Sequence, residues 1–117
     1  MAVEHARPGE LIEVRPLGDG LAAAKTQTLV KSSSIEVIRL ILQAGKKIAE
    51  HRAPGDMTLH CLEGRVRLSA VGKFIDMTPG SMVHLLSEHP HAVQAEENSS
   101  LLLTIVLAPK SAPVQQE

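Results

Sequence analysis

Apolar and polar residues alternate in short runs along most of the chain, and turn-forming residues separate the runs. In one such run Met57, Leu59 and Cys61 would share a face of an extended strand, with polar side chains on the opposite face. This two-residue period is typical of strands that bury one face. The pattern predicts strands at residues 11–14, 26–31, 35–42, 46–50, 57–62, 65–71, 74–77, 82–86, 91–96 and 101–107.

Glycine and proline punctuate these runs, as in Gly18-Asp19-Gly20, Pro54-Gly55 and Pro79-Gly80. No run has the length and period of an amphipathic helix, and residues 21–25 would form one helical turn at most. Ten or so short strands without a long helix predict an all-β domain. Closure of its sheets into a barrel would protect the strand edges.

The scarcity of aromatic residues narrows the kinds of site that the chain can build. Phe74 is the single Phe, and Tyr and Trp are absent, so a platform of stacked aromatic rings is excluded. The net charge is −1, and no run of lysine and arginine offers a surface for phosphates. We therefore expect no nucleic-acid partner.

The 117 residues predict one domain over residues 1–117, with a barrel at about 10–108 and a flexible tail at 109–117. The longest apolar runs have the length of strands, so no membrane span is expected. The start of the chain lacks the apolar segment of a signal peptide. Cys61 is the only cysteine and has no disulfide partner within the chain. These features predict a cytoplasmic protein.

Two spaced motifs contain His51 and His91. The first has the pattern G-x5-H-x-H-x3–4-E-x6-G, in which Gly45, His51 and Gly64 match, while Ala53 and Met57 replace the second His and the Glu. The second has the pattern G-x5-P-x-G-x2-H-x3-N. In that motif Gly80 and His91 match, and the replacements are Leu86, Glu88 and Ala95.

These are the motifs of the cupins, and from about residue 35 to residue 107 the chain resembles that family. The resemblance implies a double-stranded β-helix, that is, a jelly-roll barrel with little helix, assembled as a homodimer. The apolar strands at 35–42 and 101–107 fit a dimer interface. In a metal-binding cupin three histidines and one glutamate converge at the positions of these motifs, whereas this chain retains two histidines.

Strand alternation and the motif positions together predict a ligand pocket inside the barrel. Its expected lining residues are His51, Ala53, Met57, Leu59, His91 and Val93. His51 and His91 are also the candidate metal ligands, and the sequence His89-Pro90-His91 offers His89 as a third. Met57 and Cys61 would be soft ligands for Cu(I) beside His51, or plain packing residues. His60 is expected on the outer face, and His84 packed within its strand.

We consider three functions for such a chain. The first is a module that binds a small organic ligand through His51 and His91, without a tightly bound metal. The second is an enzyme, either dioxygenase-like with a divalent metal (Zn, Fe, Mn or Ni) or a metal-free isomerase with a histidine as general base. The third is a structural dimer without a ligand. The losses at positions 53 and 57 favour the binding module over the metal enzyme.

Overall fold

A computed structural model describes residues 5–107 of the protein. The tail predicted at 109–117 lies outside these residues. A 3₁₀ helix, Gly18–Ala23, precedes the strands. The strands are β1 (Gln27–Lys31), β2 (Ile35–Leu42), β3 (Lys47–His51), β4 (Met57–Glu63), β5 (Val66–Ala70), β6 (Lys73–Met77), β7 (Met82–Leu85), β8 (His91–Ala95) and β9 (Ser99–Val106). No helix among residues 5–107 is long and apolar enough to cross a membrane.

The strands form two antiparallel sheets. One has the order β1-β2-β9-β4-β7, and the other has the order β3-β8-β5-β6. Both orders place strands that are distant in sequence side by side, as in the pairing of β2 with β9 and of β3 with β8. This arrangement confirms the predicted all-β jelly-roll barrel.

The core lies between the two sheets and is built by alternate residues of their strands. In β4 and β5 every second side chain is buried, as the sequence pattern predicted. Leu59 and Leu101 of the five-stranded sheet and Leu68 and Val93 of the four-stranded sheet belong to one cluster. Since aromatic side chains are absent from this cluster, packing of aliphatic and sulfur-containing side chains stabilises the barrel.

The segment before the 3₁₀ helix is not a strand, so the prediction of an opening strand at 11–14 was wrong. Leu11 is 86% exposed, and side chains of the barrel hold the end of the segment instead. Arg39 donates to the carbonyl of Arg15 at 2.7 Å, and the Glu63 carboxylate accepts from the backbone N–H of Leu17 at 2.9 Å. These side-chain contacts take the place of a strand ladder.

Gly64 of the first motif is required by the backbone. Its φ is +86°, and a Cβ at this position would collide with the carbonyl of Asn98 and with Ser99. Any other residue would strain the turn between β4 and β5 and push β9 away. The close packing of β9 against this turn therefore requires a glycine.

Candidate functional site

The pairing of β3 with β8 brings His51 and His91 together. The two residues are direct cross-strand partners, and their ring centroids lie 4.5 Å apart with the ring planes inclined at 58°. The histidines of the two motifs, which are 40 positions apart in the sequence, are therefore neighbours at one end of the four-stranded sheet.

An irregularity in β3 turns His51 toward the interior. Ile48 pairs with Val93 and His51 pairs with His91, so an interval of three residues on β3 opposes an interval of two on β8. With regular alternation from the inward-facing Ile48, position 51 would face outward. The extra residue of this bulge places His51 on the same face as His91.

A cavity of about 170 Å³ lies between the sheets beside the two imidazoles. His91 is 3% exposed and forms its deep part, whereas His51 is exposed and lies at the opening. The remaining wall residues are apolar except for one threonine. They are Thr26, Ile38, Leu40, Ile48, Met57, Leu59, Val93 and Leu103.

Both imidazoles are held in one tautomer by backbone carbonyls. His51 Nδ1 lies 2.9 Å from the carbonyl oxygen of Ala49, and His91 Nδ1 lies 3.1 Å from that of His89. A carbonyl only accepts hydrogen bonds, so each Nδ1 carries the proton and donates it. In the neutral ring the lone pair is then on Nε2. Each histidine therefore has an Nε2 acceptor that its backbone contact leaves available.

The protonation of His91 follows from its position. Burial lowers the pKa of His91 below its ordinary value, the hydrogen bond to the His89 carbonyl opposes this change, and nearby His51 adds to it. The net shift is downward, so the His91 imidazole is neutral at pH 7. A neutral buried imidazole can accept a hydrogen bond or a proton.

The structure brings together five of the six residues predicted to line the pocket, namely His51, Met57, Leu59, His91 and Val93. Ala53 does not line this cavity, because β3 ends at His51 and strand alternation ends with it. Ala53 is half-buried in the following loop and packs against the core cluster.

The alternative site with three histidines does not form. His89 precedes β8, and its Nδ1 accepts the backbone N–H of Leu86 at 3.1 Å. This bond closes a turn, and His89 is not among the described residues that line the cavity of His51 and His91. His89 instead lines a separate surface cleft with Glu50 and Lys73. The prediction failed because Pro90 and the turn interrupt the alternation that an H-x-H pair requires.

The residues at this site fit a tightly held divalent metal poorly. No group of three or more His, Cys, Asp or Glu side chains able to hold a metal ion occurs in the part of the chain that the structure describes. Two imidazoles are one ligand short of the three protein ligands of typical catalytic zinc sites. Met57 lines the cavity at the motif position of the glutamate, and it contributes a thioether in place of a carboxylate.

Three other polar or sulfur-containing residues have roles outside the cavity. Cys61 is fully buried, its thiol is directed toward the carbonyls of Glu63 and Gly64, and burial raises its pKa. Glu63 forms an ion pair with Arg39 at 3.2 Å. His84 is exposed and lies 3.6 Å from Asp56, so the prediction that it packs within its strand was wrong.

Comparison with solved structures decides the fold. A cupin-superfamily protein from Desulfitobacterium hafniense superposes with a TM-score of 0.72, over 88% of this chain and 100% of that chain, at 18% sequence identity. The protein has the cupin fold. Its two histidines lie at matching positions of the two motifs, on the paired strands β3 and β8.

Two further cupins illustrate the range of this likeness. An RmlC-like cupin from Shewanella frigidimarina has a TM-score of 0.69 and 20% identity, over 92% of this chain and 94% of that chain. Salicylate 1,2-dioxygenase from Pseudoaminobacter salicylatoxidans has a TM-score of 0.64 and 20% identity, over 68% of this chain and 24% of that chain. No protein-family model and no curated protein matches the sequence. At these identities the likeness shows the fold alone.

Proposed function

We propose that this cupin-fold protein binds a compact organic molecule in the cavity between its sheets, anchored by His51 and His91 and without a tightly bound metal. The observation that carries the proposal is the pair of imidazoles with available Nε2 atoms beside an otherwise apolar cavity. A few polar groups in an apolar concavity are the usual composition of a small-molecule site.

The size of the cavity limits the ligand to about one ring. An apolar cavity of about 150 Å³ in another protein is known to bind benzene, and the cavity described above has about 170 Å³. Apolar walls would bury the body of such a ligand, and the histidines would orient its polar groups. Drug-sized ligands need pockets of about 300 Å³ or more.

A thermal-shift screen of single-ring compounds tests the proposal, with variants that reduce the cavity as the control. Val93 lines the cavity, whereas Val83 packs against the core at a different place. Val93→Ile adds a methyl group to the cavity wall and should weaken binding of each hit several-fold, while Val83→Ile should leave it unchanged. Equal effects of the two variants, or a screen without any hit, would contradict the proposal.

The second candidate is a metal-dependent enzyme. The cross-strand histidine pair and the structural likeness to a dioxygenase favour it, and the missing third ligand opposes it. Metal analysis after dialysis against a mild chelator separates the two candidates. The binding proposal predicts less than about one-tenth of a metal ion per chain, because two imidazoles bind divalent metals weakly. One retained metal per chain would favour the enzyme.

We also propose that the protein is a homodimer through the outer face of the five-stranded sheet. Paired strands β2 and β9 carry Ile35 and Val106 at one end of this face, with 36% and 42% exposure, and β7 adds Met82 with 62%. Val106→Glu should convert the dimer to a monomer in light scattering. Phe74→Glu, on the other sheet, should leave the mass unchanged. A monomeric wild type, or a monomer produced by Phe74→Glu alone, would contradict this interface.

For the cellular setting we propose the cytoplasm and no nucleic-acid partner. The buried free thiol of Cys61 suits a reducing compartment. A net charge of −1 gives no general attraction to phosphate. Fractionation of cells that express the tagged protein would test the compartment, and recovery in an oxidising compartment would contradict it.

A further inference from the structure

The two histidines present hydrogen-bond acceptors to the cavity. Both Nδ1 protons are used by backbone carbonyls, so the two imidazoles present Nε2 lone pairs. The one other polar wall residue is Thr26, whose hydroxyl oxygen accepts the backbone N–H of Ile41 at 2.9 Å and keeps one O–H donor. Neither lysine nor arginine is among the described residues that line the cavity.

Such a surface distinguishes ligands that donate hydrogen bonds from ligands that only accept them. A hydroxyl group can donate to Nε2, whereas a carboxylate has only lone pairs to place against the lone pairs of His51 and His91. The carboxylate would also lose its hydration among apolar walls without gaining a cationic partner. Neutral donors are therefore favoured, and anions of the same size are rejected.

The described residues that line the cavity offer no charged partner to either ring. The two histidines are the titratable groups among the cavity's lining residues, and no carboxylate there would stabilise an imidazolium. Protonation would make Nε2 a donor and reverse the preference, so the selectivity belongs to the neutral form.

We propose that the ligand of this cavity is a small phenol with two hydroxyl groups on a single ring, one for each imidazole. This inference rests on the proposed binding function and specifies its ligand class. The apolar walls accommodate the ring, since the cavity volume of about 170 Å³ is close to that needed for benzene. The imidazole centroids are 4.5 Å apart, so the two rings are close enough for one small ring to contact both.

Four probes of similar size test this proposal by calorimetry at pH 8, where histidines are neutral. They are benzene, phenol, resorcinol and benzoate. Each added hydroxyl should tighten binding about fivefold, since one neutral hydrogen bond contributes that much on average. Resorcinol should thus bind about 25-fold more tightly than benzene, and benzoate should bind more weakly than benzene.

The double variant His51→Leu/His91→Leu removes both acceptors while retaining apolar side chains. It should bind resorcinol and benzene equally. His51→Leu alone, at the exposed position, should lose about fivefold for resorcinol and nothing for benzene. Phe74→Leu is the matched control, because Phe74 is 71% exposed on the outer face of the four-stranded sheet and offers a competing ring-binding surface. This control should retain the wild-type preference.

Different results would overturn the two proposals separately. If benzene binds in the cavity but benzoate binds as tightly as resorcinol, the binding function stands and the phenol inference fails. The same conclusion follows if His51→Leu keeps the full preference of about 25-fold for resorcinol over benzene, or if the double variant keeps any preference. If neither benzene nor resorcinol binds, both proposals fail.

Discussion

Replacement of either histidine by alanine should weaken ligand binding to a similar extent but change stability very differently. His91 is 3% exposed, and its Nδ1–H group donates to the His89 carbonyl. His91→Ala therefore leaves both a void and an unpaired carbonyl, which together cost about 2–3 kcal/mol. His51 is exposed at the cavity opening, so His51→Ala should cost no more than about 0.5 kcal/mol.

For a chain of this length about 1 kcal/mol corresponds to roughly 4 °C in Tm. We thus expect His91→Ala to lower Tm by about 10 °C and His51→Ala by about 2 °C or less, as measured by calorimetric scans. Each variant should lose about fivefold in affinity for resorcinol, because each removes one acceptor. Large and equal losses of stability with unchanged binding would mean that both histidines are structural, which would refute the site assignment.

Two further predictions concern the barrel itself. The lowered pKa of His91 means that the unfolded chain binds more protons than the folded chain below about pH 6.5. The free energy of unfolding should therefore fall as the pH drops from about 6.5 toward the folded-state pKa. His91→Asn should reduce this pH dependence, as measured by denaturant titrations at several pH values. An unchanged dependence of the unfolding free energy on pH would contradict the lowered pKa of His91. Gly64→Ala should lower the free energy of unfolding by about 2–4 kcal/mol because of the positive φ and the contacts with Asn98 and Ser99. Gly72→Ala is the control and should cost less, since Gly72 has a positive φ but open space around it. Equal losses of stability in the two variants would show that the contacts of Gly64 are unimportant.

Much of the barrel could be predicted from the sequence because two strong local signals agree. Alternation of apolar residues identifies strands such as β4 and β5, and turn residues separate them. The motif spacing also predicted that His51 and His91 would converge, which no local pattern could show. Their convergence depends on the long-range pairing of β3 with β8, which the fold determines.

The failures occurred where tertiary contacts override a local pattern. Residues 11–14 alternate like a strand, but Arg39 and Glu63 hold the end of that segment through hydrogen bonds that no periodicity reports. Ala53 follows the last strand residue, so the two-residue rule no longer applies to it. His89 precedes β8, and its ring closes a turn.

The inward orientation of His51 shows a subtler effect. Strand alternation predicted that His51 and Ala53, two residues apart, would both face the interior, yet Ala53 does not line the cavity. His51 faces the cavity because a bulge adds one residue between Ile48 and His51. The alternation of apolar and polar residues in the sequence cannot locate such a bulge, since a bulge is defined by its pairing with the opposing strand. Glu50, which regular alternation from Ile48 would place inside, is exposed.

The most direct test of the account is a crystal structure of the protein soaked with resorcinol. We predict one ring between the two sheets, with its hydroxyl oxygens within hydrogen-bond distance, about 3 Å, of Nε2 of His51 and of His91. The surface cleft beside Phe74 offers an alternative position on the outside of the four-stranded sheet. A ring bound only there, or an empty cavity at saturating resorcinol, would contradict the claim that the space beside the two histidines is the ligand site.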